Sequence, residues 1–249
     1  MSQLIPLVPS LKPFLEPYLP SHKSSKRPFV TLTYAASLDS RVSEVKGKQT
    51  TISHLETKTM THYLRSKHQG ILIGSGTAIA DDPGLNCRFR EGSQTHLIRP
   101  IVIDKYFDWN ITECSRIVAT ARQNEGLGPF IIVSSAVSVK YPDKVAEVES
   151  VGGKIFELPL DESGKFSWDD ILVLLSDQGI ESVMVEGGAT VINDMLERGS
   201  YLVDSLIVTI GPVYLGSQGV EVSPSKHVDL DNISWWTGTR DSILAAKLS

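Results

Sequence analysis

Nothing in this chain constrains its fold more than the alternation of short apolar runs with segments of helical spacing. Residues 29–36, 70–74, 100–104, 130–134, 154–158 and 182–185 are each of strand length and apolar enough to be strands buried on both faces. Between them, helices are expected over 55–68, 76–80, 141–150, 167–177 and 189–198. That order demands crossovers that carry the chain back before the next parallel strand begins. The expected architecture is therefore α/β: a mostly parallel central sheet with helices on both faces.

Past Gly199 the rhythm changes. Residues 203–214 read as a long strand and 242–248 as its antiparallel partner, across a loop holding Gly216 and Gly219, which predicts a C-terminal hairpin. Helix 55–68 is preceded by Ser53-x-x-Glu56, the spacing of a reciprocal N-terminal cap. Pro6, Pro9, Pro13, Pro17 and Pro20 forbid one continuous helix near the start. Residues 1–27 are thus expected as an irregular arm that packs through Leu11, Phe14, Leu15 and Tyr18, with 21–27 a polar linker. Residues 28–249 then form a single folded domain.

Apolar side chains make up 41% of the 249 residues, enough for a sizeable core, so disorder and fibrous folds are excluded. A net charge of −5 gives no basic field for polynucleotide phosphate, so nucleic acid is not an expected partner. The Trp235-Trp236 pair reads as packing. Cys87 and Cys114 fit neither a redox pair nor a zinc site, which points to free thiols in a reducing compartment and to no metal. No segment reads as a signal peptide or membrane span, so a cytoplasmic location without membrane partners is expected.

In open α/β sheets, ligands lie beyond the carboxyl ends of the strands. Two loops there carry glycine in the right place, Gly74-Ser-Gly-Thr77 and Glu186-Gly-Gly-Ala-Thr190. Glycine lets backbone approach an oxygen-rich ligand, and a helix start favours negative charge, so both are phosphate-cradle candidates. Neither completes the dinucleotide fingerprint of an ordinary Rossmann dehydrogenase. Arg65 and Arg88 are suited to a forked pair with a phosphate monoester. Asp39 and Ser37 leave the first strand near the expected ligand. His54, His62, His68, His96 and His227 show no metal spacing and are read as surface or core residues.

The motifs at 35–39 (Ala-Ala-Ser-Leu-Asp), 74–83 (Gly-Ser-Gly-Thr-Ala-Ile-Ala-Asp-Asp-Pro), 85–88 (Leu-Asn-Cys-Arg), 100–104 (Pro-Ile-Val-Ile-Asp) and 185–189 (Val-Glu-Gly-Gly-Ala) together resemble the riboflavin-pathway reductases. The resemblance runs from about Arg27 to the C-terminus. It implies a dihydrofolate-reductase-like three-layer fold, a homodimer, and NADPH-dependent reduction of a ribosyl to a ribityl group on a phosphorylated pyrimidine. It also implies cofactor contacts at Thr77, Asp81, Gly187, Gly188, Ala189 and Thr190, with Ala35, Lys105 and Leu160 as further contacts. Leu85, Arg88, Arg65 and Glu186 match substrate-contact positions. The His-x-Glu and Pro-Cys-x-x-Cys pattern of the zinc deaminase fused to bacterial relatives is absent, so the chain is expected to reduce and not to deaminate.

In such chemistry, ring opening of the ribosylamine gives an imine that accepts hydride, and a carboxylate beside it would stabilise the iminium or pass a proton. Asp39 and Glu186 are the catalytic candidates. Two other readings keep the cradles: a reductase of pterin or folate type, and a nucleotide-binding module without catalysis.

Overall fold

The computed structural model describes residues 3–20, 27–92 and 94–249. The expected linker at 21–27 lies outside the described residues apart from Arg27. Nine strands form the main sheet: β1 (Phe29–Ala36), β2 (Gly70–Gly74), β3 (Arg99–Ile103), β4 (Phe130–Ser134), β5 (Lys154–Leu158), β6 (Ser182–Gly187), β7 (Ser205–Ile210), β8 (Leu230–Thr237) and β9 (Ser242–Leu248). Their spatial order is β8-β9-β7-β1-β6-β2-β3-β4-β5. Pairings from β7 across to β5 are parallel, and the two involving β9 are antiparallel.

Among the described residues, seven α-helices pack on this sheet: α1 (Leu11–Leu15), α2 (Leu55–Arg65), α3 (Ser75–Asp81), α4 (Arg116–Arg122), α5 (Pro142–Ser150), α6 (Trp168–Asp177) and α7 (Ala189–Arg198). Strand alternation sends successive side chains to opposite layers. Leu72 faces a core with Trp168, Ile171 and Leu175 of α6 and Ile192 and Met195 of α7. Its neighbours Ile71 and Ile73 face Ala78 of α3, Ile117 of α4 and Val148 of α5. On that second face, Met184, Ile207 and Ile243 meet Met60 and Leu64 of α2 together with Leu11 and Leu15 of α1. The result is the three-layer α/β architecture anticipated from the apolar runs.

The arm packs where its apolar residues direct it. Leu11, Leu15 and Tyr18 are buried, and the Tyr18 hydroxyl donates to the Asn232 carbonyl and lies 2.9 Å from Ser234 Oγ. One local expectation gives way to longer-range contacts, and two elements appear that the sequence did not announce. Ser53 and Glu56 do not form a reciprocal cap. His54 stands at the N-cap, and Asp241 from the β8–β9 turn accepts from the His54 amide (2.6 Å) and the Thr57 hydroxyl. Glu56 instead accepts from the amide and hydroxyl of Thr239 in the same turn, at 2.7 and 2.8 Å. The expected pairing of the 203–214 run with 242–248 is present as β7 with β9, but β8 joins as a further outer strand. Helix α4 also has no counterpart among the expected elements. It spans seven residues, and the Arg116 amide at its start donates to the distant Asp82 carboxylate rather than to a neighbouring side chain.

Helix α2 ends at Arg65, short of residue 68, because His68 closes it. The ring Nδ1 sits 2.7 Å from the Leu64 carbonyl and Nε2 2.7 Å from the Thr31 hydroxyl on β1. Nδ1–H therefore donates, and Nε2 accepts from the hydroxyl. Burial holds the His68 pKa down, at about 4, against 6.5 for a free histidine. The native state thus keeps this ring neutral while the unfolded chain takes up a proton below pH 6.5. Stability is expected to fall as pH drops from 6.5 to 4 by about 3 kcal/mol from this group alone. Urea unfolding at pH 7.5 and 4.5 checks it, and His68→Gln should narrow the difference, leaving the part that comes from His62.

Candidate functional site

The carboxyl ends of β1, β2, β3, β6 and β7 open into one cleft of about 1250 Å³. Its position follows from strand order. Strand β6 lies between β1 and β2, so the loop after β2 and the loop after β6 emerge side by side. A Cβ on Gly74 would stand 3.3 Å from Val191 of α7, and one on Gly188 would stand 3.1 Å from the Thr77 hydroxyl. The two glycine loops therefore pack closely at Gly74 and Gly188, where a side chain would force its neighbour to shift. Gly187 has φ +132°, a conformation that L side chains rarely adopt, and its peptide bond to Gly188 is cis. Gly188 caps α7 without a side chain, so the first amides of that ten-residue helix have no side-chain cap.

This edge gathers most of the expected cofactor residues. Ala35, Thr77, Asp81, Lys105, Gly188, Ala189 and Thr190 all line the cleft. Gly187 is buried just behind them. Burial raises the Asp81 pKa. Lys105 donates to the Gly164 carbonyl at 2.6 Å, which ties the end of β3 to a turn organised by Asp161. Leu160 does not line the cleft; it bridges to Phe166 at the base of that turn.

The opposite wall is α2. Lys58, Thr61, His62 and Arg65, spaced i, i+3, i+4 and i+7, face the cleft while Met60 and Leu64 face the core. Arg65 reaches across to Glu186 at the end of β6 in a two-pronged pair, Nε to Oε1 at 2.9 Å and Nη2 to Oε2 at 2.7 Å. Its remaining Nη1 donates to the Asn86 carbonyl at 2.9 Å. Arg88, from the loop after α3, stands against the His62 ring, with Nη2 2.8 Å from Nε2. Burial, then the cations Arg65, Arg88 and Lys58, push the His62 pKa down to about 2, so the ring is neutral. The floor between the walls includes Thr33, Ala35 and Thr209.

Like Leu160, the expected site residues Asp39 and Leu85 are not brought to the cleft, and Arg88 stands behind His62 rather than in the lining. The Asp39 carboxylate accepts from the Ser37 hydroxyl and from the Leu215 and Gly216 amides at 3.0 and 2.7 Å, with its pKa lowered to about 2, chiefly by the Ser37 bond. It staples the β1 loop to the segment after β7. Leu85 is buried in the core against β2 and β3, at φ +48°. Conversely, Lys58, Thr61 and His62 are cleft residues that the sequence reading did not single out as such. Their common helical face with Arg65 was the available signal.

A family model described as the RibD C-terminal domain matches residues 28–244. The chain is 51% identical to the 2,5-diamino-6-ribosylamino-4(3H)-pyrimidinone 5′-phosphate reductase of Debaryomyces hansenii, with 99% of each chain covered. It is 45% identical to the enzyme of the same name from Eremothecium gossypii, again with 99% of each covered. Among solved structures, the Saccharomyces cerevisiae riboflavin biosynthesis reductase Rib7 superposes with a TM-score of 0.81 at 42% identity, covering 96% of this chain and all of that one.

The Arg65–Glu186 pair is largely shielded, with side-chain exposures of 13% and 18%. Removing one partner strands a charge, whereas removing both does not. A double-mutant cycle of Arg65→Met and Glu186→Gln, read by urea unfolding, is expected to give a coupling energy of about 1–3 kcal/mol.

Proposed function

The chain belongs to the RibD C-terminal domain family, and from that premise we infer that it is a reductase of riboflavin biosynthesis. Its substrate is 2,5-diamino-6-ribosylamino-4(3H)-pyrimidinone 5′-phosphate, whose ribosyl group it reduces to ribityl. The observation that carries this reading is that a single cleft joins a side-chain-free cradle at the start of α7 to a cationic wall on α2.

NADPH is the proposed hydride donor. Gly188 fits a pyrophosphate because a side chain there would crowd the Thr77 hydroxyl on the facing loop, and the uncapped amides of α7 favour negative charge. Gly187, Ala189 and Thr190 continue that cradle. Thr77 and Asp81 hold the cofactor from α3, Ala35 meets it from β1, and Lys105 sits at the strand end suited to an adenosine 2′-phosphate. Leu160 shapes the turn that carries Gly164 rather than touching the ligand. When bound, the reduced nicotinamide supplies the hydride.

The protein's own residues position and polarise the substrate. Arg65 and Arg88 take the phosphate side of the pyrimidine ribosylamine, with Lys58 adding charge. Glu186 is the catalytic carboxylate: it lies in the cleft, held in a fixed orientation by Arg65, where it faces the ring-opened imine and stabilises its protonated form. Asp39 shapes the β1 loop and so acts at a distance, and Leu85 orders the loop leading to Arg88. A homodimer belongs to the same proposal, supported by Ile233 and Trp235, exposed on the outer strand β8. So does a cytoplasmic location, supported by the free thiols of Cys87 and Cys114. Residues 1–27 and 28–249 are proposed as arm and reductase domain. A pterin-type reductase is disfavoured by the cationic wall, since a pterin brings no phosphate to it.

Loss of NADPH absorbance on adding the phosphorylated substrate to folded protein is the direct test; no turnover would overturn the reading. Glu186→Gln is expected to lower kcat by about two orders of magnitude. The NADPH dissociation constant, measured by fluorescence titration, should change less than threefold, and equal losses in both would assign Glu186 to cofactor positioning instead.

A further inference from the structure

Three threonines face the α2 layer from the strands beneath it, and one of them is satisfied. Thr31 and Thr33 lie two residues apart on β1 and so point the same way. The Thr31 hydroxyl bonds to His68 at the end of α2. Thr209 stands two residues beyond Ile207 of β7, which packs with Met60 and Leu64 of α2, and so shares that face. Thr33 and Thr209 are 5% and 3% exposed, and both line the cleft. Neither hydroxyl has a hydrogen-bond partner among the described residues, and neither is sealed off from the cleft.

A buried hydroxyl without a partner opposes folding, and valine would fill a buried strand position without that penalty. Thr31 avoids it through His68. Thr33 and Thr209 incur it where the cleft opens, so the partners they lack belong to a ligand.

Strand order says which ligand. Thr33 pairs in register with Ile207 and Ala35 with Thr209, so the two threonines are diagonal neighbours with only the Ala35 methyl beside them. On the other side of β1, Glu186 of β6 turns to the same layer and meets Arg65 of α2. The cradle at the start of α7 belongs to the opposite layer, where α7 packs with α6. The threonine floor is therefore on the substrate side of the cleft. Phosphate seeks cations, which this floor lacks. A pair of neutral hydroxyls, each able to donate and to accept, suits the edge of a planar ring that carries amino and carbonyl groups side by side.

We propose that Thr33 and Thr209 are specificity-determining residues for the substrate's aminopyrimidinone ring, accepting from its amino groups and donating to its carbonyl or ring nitrogen. The proposal rests on the reductase reading above and deepens it, because it supplies contacts for a ring to which that reading gives none.

The experiment compares wild type with Thr33→Val, Thr209→Val, Thr33→Ser and Thr209→Ser. Valine keeps the shape and removes the hydroxyl, whereas serine keeps the hydroxyl. The probe is 2,5,6-triaminopyrimidin-4(3H)-one, the substrate's ring without sugar or phosphate, used anaerobically as a competitive inhibitor at saturating NADPH. In each valine variant, its Ki and the KM of the phosphorylated substrate are expected to rise about tenfold, equivalent to about 1.4 kcal/mol. Each serine variant should stay within about threefold of wild type in both. The NADPH dissociation constant and the Ki of inorganic phosphate should change less than about threefold throughout.

Unchanged Ki and KM in both valine variants would overturn the proposal. A rise in the NADPH dissociation constant equal to the rise in KM would overturn it too, by assigning the hydroxyls to the nicotinamide. So would serine variants as impaired as the valine ones, which would make the threonines packing. Should the free ring fail to inhibit wild type, KM alone decides, and should one valine variant fail to fold, the other decides. All these outcomes leave wild-type turnover intact, so they differ from failure of the reductase reading, in which wild type itself does not turn over.

Discussion

The whole site depends on where one late strand is inserted. Strand β6 is apolar on both faces, with Val183, Met184 and Val185 nearly inaccessible, and its backbone groups need hydrogen-bonding partners on both sides. It finds them in β1 and β2, which are separated in sequence by the α2 crossover and which β6 holds apart in space. That placement sets the loop after β2 against the loop after β6 and puts Glu186 within reach of Arg65. Removing side chains at Gly74 and Gly188 is then a steric requirement of two loops sharing one strand edge. A cradle that accepts backbone approach is the consequence.

Helix α2 forms the second half of the cleft, and its position is held from three directions. Met60 and Leu64 bury against the sheet and the arm, His68 ties its end to β1, and the turn between β8 and β9 caps its start through Asp241 and Glu56. The C-terminal hairpin, remote from the glycine loops in sequence, thus fixes the helix that carries Lys58, His62 and Arg65. Without these ties the polar face of α2 could roll relative to β6, and the two-pronged geometry of Arg65 on Glu186 would be lost.

The parallel strands were legible because apolar runs of five residues have few alternatives once glycine or charge bounds them. The helices α6 and α7 were legible for the same reason. What escaped sequence reading was held by distant partners. Helix α4 has its start satisfied by Asp82, β8 is an outer strand whose Ile233 and Trp235 stay exposed, and the Ser53-x-x-Glu56 spacing lost to Thr239 and Asp241. Of the site, the glycine loops and Arg65, Arg88 and Glu186 stood out by residue type. Their adjacency did not, since it needs the strand order. Asp39 and Leu85 followed motif position and proved to be one a staple and the other core. The cleft face of α2 was visible in the spacing 58, 61, 62, 65, beside a stronger apolar stripe that marks only the core side.

Electrostatics explains why a chain of net charge −5 carries such a wall. Burial, then Arg65 and Arg116, lower the Arg88 pKa, and burial with three cations drives His62 neutral. These groups repel one another in the free protein, which costs stability that a more mixed surface would retain. In the proposed reading a dianion relieves this repulsion, whereas a neutral ligand of similar shape gains nothing from it.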